Sequence, residues 1–157
     1  MRLVITTLAA AGVAAAAFAT PALANEARVE ARGGVAWSNG DSQGTGGVAA
    51  GYDADLAPMV FLGGEVSADK ILTHGTDWSY GFTGRLGVHA APGTKLYAQT
   101  GWKTKDCDLC SGQWHAGAGV EQSLGNRVYG TVAYDHRFDR NNTAASNALT
   151  AGVGVHF

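Results

Sequence analysis

The chain has 157 residues and a nearly balanced charge, 11 Lys+Arg against 13 Asp+Glu, with charged residues at 15%. That balance excludes the basic footprint of a nucleic-acid-binding domain. Glycine is abundant (23) and proline rare (3), helical periodicity is absent, and beyond the N-terminal segment no apolar run is long enough for a spanning helix.

Met1-Arg2 is a short basic start, residues 3–19 are apolar and rich in Ala, and Pro21-Ala22-Leu23-Ala24 ends in a small-x-small pattern. This predicts a secretory signal peptide over 1–24, cleaved after Ala24, and one domain over 25–157. An uncleaved anchor is the alternative, disfavoured because Ala-rich runs span poorly.

Stretches of two-residue alternation then recur, each followed by a Gly/Asp/Asn/Pro/Ser cluster, and predict eight strands. They are 27–37 (Val29, Ala31, Gly33, Val35 and Trp37 on one face), 45–53 (Val48, Ala50, Tyr52) and 59–68 (Val60, Leu62, Val66). The fourth, 78–89, is the most regular, with Trp78, Tyr80, Phe82, Gly84, Leu86 and Val88 alternating. Then come 95–103 (Leu96, Ala98, Trp102), 113–123 (Trp114, Ala116, Ala118, Val120), 128–138 (Val128, Val132, Tyr134, Phe138) and 148–157 (Leu149, Ala151, Val153, Val155, Phe157). The opposite faces carry Arg28, Glu30, Arg32, Asp53, Glu65, Arg85, Lys95, Lys103, Glu121, Asp135 and Arg137, and the apolar faces carry no Asp, Glu, Lys or Arg.

The connectors alternate in length. Residues 53–58, 90–94 and 124–127 read as short turns, and 39–45, 69–77, 104–112 and 139–147 as longer, more polar loops. Short and long ends around an even strand count predict a transmembrane β-barrel. All four tryptophans, Trp37, Trp78, Trp102 and Trp114, fall on the apolar faces at the long-loop end, with Tyr52 and Phe157 at the other, as two aromatic girdles would. About five apolar residues per strand suit a tilted bilayer-crossing strand. The fold class expected is therefore an all-β, eight-stranded, antiparallel up-and-down barrel with lipid outside. Glu30, Arg32, Glu65, Arg85, Lys103, Glu121, Asp135 and Arg137 would form a charge network in its lumen. A soluble lipocalin-like barrel, apolar inside, is the competing reading.

Segments such as "GVAAGYDADL", "YGFTGRLGVHAAPGTKLYAQTGW", "WHAGAGVEQSLGNRVYGTVAYDHRF" and the terminal "TAGVGVHF" resemble the small outer-membrane β-barrels of Gram-negative bacteria, the OmpA-like or opacity-type porin-family proteins. The resemblance covers essentially all of residues 25–157. It implies outer-membrane localisation, both termini in the periplasm, and insertion by the barrel-assembly machinery reading a terminal strand. Gly152, Val155 and Phe157 match that signal. Activity does not transfer with the fold.

Cys107 and Cys110 lie in the third long loop. An oxidising compartment favours an intraloop disulfide. A metal site is a weak reading of a single C-x-x-C, with only Asp106, Asp108 and His115 nearby. A lipid A deacylase would be expected to show His-x-Ser near the outer rim, but after His136 the serine position is Phe138. The remaining histidines, His74, His89 and His156, form no spacing motif, and Asn141-Asn142-Thr143 reads as a polar loop. The expectation is a non-enzymatic barrel without cofactor or metal, monomeric, partnered by outer-membrane lipid and the assembly machinery. Its role would be structural or surface-interacting through an extracellular ligand the sequence does not identify. The alternative is a narrow pore, and a lipid-modifying enzyme stands further back.

Overall fold

The computed structural model describes residues 25–73, 75–105, 111–140 and 143–157. The expected signal peptide, the cysteine pair, His74 and Asn141-Asn142 lie outside the described residues. Eight strands follow in chain order: β1 (Asn25–Ser38), β2 (Asp41–Ala57), β3 (Val60–Ile71), β4 (Trp78–Ala91), β5 (Thr94–Lys103), β6 (Gln113–Ser123), β7 (Val128–Arg137) and β8 (Ser146–His156). Each pairs antiparallel with its neighbour, and β8 returns to β1 with Val29 opposite Val155, closing the barrel. The seam extends one residue past β8, where the Phe157 amide donates to the Ala27 carbonyl at 2.9 Å. No edge strand remains.

The polarity is the inverse of a water-soluble protein. The largest fully buried side chains are Arg28, Arg85, Tyr129, Phe61, His115, Glu121 and Asp53, whereas Phe82 is 73% exposed and Leu86 54%. Alternation explains this: every second residue points into the lumen, and the remainder form an apolar outer skin. The lipocalin-like alternative, with apolar rows inside, is thereby excluded. Lumen aromatics need room from the adjacent strand. A Cβ at Gly154 would overlap the Tyr129 ring, so the small residue in β8 makes space for a large one in β7.

The eight expected strands are all present, but three details differ. First, residues 39–45 are not a long loop: β1 and β2 are joined by Asn39-Gly40 alone, with φ of 50° and 92°. Both φ values are positive, as a type I′ hairpin requires, and Asn-Gly is its usual sequence. The remaining long connectors are L2 (72–77), L3 (104–112) and L4 (138–145); the opposite end has turns at 58–59, 92–93 and 124–127. Second, β3 continues to Ile71, so Asp69 is a lumen residue and not part of a loop. Third, the same extension places Lys70 on the outer face, opposite Trp78. The outer face therefore does carry one charge, at the aromatic rim, where a long cationic side chain can reach water.

Candidate functional site

Inside the barrel the charges join into one continuous chain. Lys103 Nζ lies 2.7 Å from Asp69 Oδ2, and Asp69 accepts two bonds from Arg32, at 2.9 and 3.0 Å. Arg32 Nη1 donates to Glu65 at 2.8 Å, and the other oxygen of Glu65 receives Arg28 Nη2 at 2.7 Å. Arg28 faces Asp53 at 3.7 Å, Asp53 faces Arg85 at 3.1 Å, and Arg85 Nη2 donates to Glu121 at 2.8 Å. Lys95 is 3.2 Å from Glu121 and bonds Glu26, which also contacts His156 at the short-turn mouth. Cation and anion alternate throughout, so each carboxylate of this chain has at least one cationic neighbour. That is the condition under which buried charge is tolerated.

These bonds mostly join strands two apart. Arg28 and Arg32 of β1 reach Glu65 and Asp69 of β3, Lys103 of β5 reaches Asp69 of β3, and Arg85 of β4 reaches Asp53 of β2 and Glu121 of β6. The Arg85 guanidinium is also sandwiched by lumen aromatics, 4.2 Å from the Tyr97 ring centroid and 5.2 Å from that of Phe61.

Of the predicted network residues, Arg32, Glu65, Arg85, Lys103 and Glu121 belong to this chain. Asp135 belongs to a branch: it accepts from Gln99 Nε2 at 2.9 Å and lies 3.0 Å from His115 Nδ1, while His115 Nε2 meets the Thr83 hydroxyl at 3.1 Å. Glu30 stands apart, bonded by the Thr131 hydroxyl. Arg137 lines a lumen cavity of about 20 Å³ together with Arg32, Lys103, Asp69 and Asp135. A cavity of that size holds about one water molecule.

Hydroxyl, imidazole and carboxylate thus stand in a relay order, Thr83–His115–Asp135. Thr83 is 7% exposed and His115 1%, so the relay is packed inside the lumen. Glu26, Glu121 and His156 offer ligand atoms within 4.8 Å of one another, a spacing a metal ion could use. Lys95 already neutralises both of these carboxylates, so the cluster is the end of the ion-pair chain. The predicted network omits Arg28, Asp53 and Lys95, which the alternation puts on the inward face, and also Asp69, Glu26, His115 and His156. Asp69 was findable by continuing the inward row of Glu65 and Ser67 two residues further.

At the long-loop rim the four tryptophans face outward as expected. Trp37 tilts against Tyr134 at 6.3 Å, and Trp102 meets Trp114 edge-on at 5.6 Å. On the same rim His136 Nδ1 lies 2.9 Å from Asn147 Oδ1, Tyr134 donates to that oxygen at 2.7 Å, and Phe138 packs edge-on to His136 at 5.0 Å. Phe138, two residues after His136, is thus the ring that packs on this imidazole.

No family profile and no curated protein sequence matches the chain. Solved structures do. The N-terminal β-barrel domain of Pseudomonas aeruginosa OprF aligns at a TM-score of 0.64 and 16% identity, covering 87% of this chain and all of that one. Ail, the attachment invasion locus protein of Yersinia pestis, aligns at 0.58 and 12% identity (85% and 97% covered). The outer-membrane enzyme PagL aligns at 0.58 and 14% identity (82% and 98%). At these identities the likeness concerns architecture, and the chain has the fold of the small eight-stranded outer-membrane barrels.

Proposed function

We propose that this chain is an integral outer-membrane barrel that acts as a structural and surface-interaction protein, without enzymatic activity or cofactor. The long loops face outward, both chain ends face the periplasm, and the barrel works as a monomer after delivery by the barrel-assembly machinery. The observation that carries this reading is the combination of an apolar outer skin with a lumen filled by ion pairs. Lipid suits the first, and the second favours a closed interior: the cavity beside Arg137 and Lys103 fits about one water, and an eight-stranded barrel is just wide enough for side chains to fill. The likeness to Ail, the attachment invasion locus protein, supports a surface-interaction role, and the likeness to the OprF domain supports the barrel itself. The likeness to the outer-membrane enzyme PagL is one of fold, at 14% identity, and activity does not transfer with a fold.

Planar-bilayer recording on the refolded full chain tests the closed lumen. No discrete conductance steps are expected; reproducible single-channel openings would establish the pore reading. Protease shaving of intact cells should cut L3 or L4 and spare the turns at 58–59 and 92–93. Cleavage confined to those turns would reverse the orientation.

A further inference from the structure

We propose that Arg140, laid over Trp102 at the long-loop rim, binds the phosphate of an outer-leaflet lipid headgroup. The proposal rests on the outer-membrane reading above. L4 joins β7 to β8, yet Arg140 does not stay above those strands. It reaches past β6 to place its guanidinium 4.9 Å from the centroid of the Trp102 ring on β5. That reach is held in place. The buried Gln113 amide donates to the carbonyls of Phe138 at 2.9 Å and Ala144 at 3.0 Å, at either end of L4. The Ser111 amide donates to the Thr143 hydroxyl at 2.8 Å, and Arg140 and Thr143 exchange backbone bonds at 3.0 and 2.9 Å.

A guanidinium stacked on an indole keeps its N–H edges free while its face is occupied, and those edges match phosphate oxygens. Among the described residues no carboxylate is paired with the Arg140 guanidinium, and the residue is exposed. Its depth is fixed by Trp102 and Trp114, whose rings sit where hydrocarbon gives way to headgroups. An exposed cation at that level faces the charged part of a lipid and not free solution. The same rim is tied to β6 and β8: the Phe138 amide bonds the Trp114 carbonyl at 3.0 Å, and His136, edge-on to Phe138, has its Nδ1 engaged by Asn147.

The full chain, refolded in neutral detergent, is titrated with diphosphorylated lipid A, and retained lipid is counted by native mass spectrometry. Arg140→Ala should raise the half-saturating concentration about tenfold, the scale of one lost charge-assisted hydrogen bond. Arg140→Lys should fall between, and Arg127→Ala at the opposite end should match the parent. Lipid A stripped of phosphate should bind the parent weakly and lose nothing further in Arg140→Ala, which separates recognition from a loop disturbance. Each protein must first show the heat-dependent gel shift of a folded barrel; failure of the parent to do so in lipid would count against the outer-membrane reading itself. Equal binding by the parent and Arg140→Ala, or equal loss in both when phosphate is removed, would overturn the proposal. So would displacement of the lipid by millimolar inorganic phosphate alone.

Discussion

Arg85→Met removes the central cation of the lumen chain at little cost in length. The native guanidinium is 1% exposed, lies 2.8 Å from Glu121 and 3.1 Å from Asp53, and stacks on Tyr97. Without it Asp53 keeps only the longer contacts to Arg28 and Lys95, both at 3.7 Å, and Glu121 keeps Lys95 at 3.2 Å. Removing one partner of a buried pair costs about 3–5 kcal/mol, and the lost stacking adds about 0.5–2 kcal/mol. Lys95 offsets part of this by moving toward the pair, so a net loss of about 3–5 kcal/mol is expected. Equilibrium urea unfolding in lipid vesicles measures it, because the free energy falls linearly with denaturant. The double variant Arg85→Met/Glu121→Gln supplies the control: discharging the stranded carboxylate should recover about 0.5–3 kcal/mol of the loss. A single variant within about 1 kcal/mol of the parent would show that the lumen charges are solvated and that the ion-pair chain contributes little to stability.

Leu86→Arg, on the lipid face, should cost about 2–4 kcal/mol in the same assay and exceed Thr83→Arg, whose side chain enters the lumen; equal losses would contradict the assigned faces. Gly40→Val should destabilise the barrel by about 1–3 kcal/mol, because φ at that position is 92° and a β-branched side chain strains there; an unchanged unfolding midpoint would remove the type I′ assignment. Deleting Phe157 takes away the last seam bond, to Ala27, and an outward aromatic. It should lower the membrane-inserted fraction seen by heat-modifiable migration, and normal insertion would argue against a terminal signal. Replacing Cys107 and Cys110 with serine should leave insertion intact, since so small a ring closes little chain entropy, well below the roughly 3 kcal/mol of a 15-residue loop; unreduced mass spectrometry should find the native pair two hydrogens lighter than the dithiol.

The strands were legible because a bilayer imposes the period of two without relief: an outward charge is expensive, so Val29 to Trp37 and Trp78 to Val88 alternate cleanly. Legibility failed where that constraint ends. At the rim the outer face meets headgroups and water, so Lys70 can point outward, and the charged pair Asp69-Lys70 reads as loop although both belong to β3. Asn39-Gly40 announced a two-residue hairpin by local chemistry, but the polar run Ser42-Gln43-Gly44 that follows resembles a loop because β2 there stands above the apolar band. The partners within the lumen were not readable at all. Alternation says that Arg32 and Glu65 point inward, but which carboxylate meets which guanidinium depends on strand stagger, a property of the whole closed cylinder. Gln113 shows the same limit, since nothing local marks a glutamine that will hold both ends of a loop 25 and 31 residues away.

The ion pairs between strands two apart bear on how the chain chooses its shape. In a flat sheet, neighbouring strands are about 4.8 Å apart, so residues on alternate strands would stand about 9.6 Å apart at their backbones. Curling brings their inward side chains together until Arg28 reaches Glu65 at 2.7 Å and Arg85 reaches Glu121 at 2.8 Å. The network is thus indifferent to the existence of a sheet and sensitive to its curvature. An open sheet of these strands would carry stranded charges on one face and an unpaired edge on either side, the form that assembles into aggregates. The bonds that hold the closed barrel also penalise that open alternative, and the selection operates from the inside of the cylinder, away from the lipid that covers its surface.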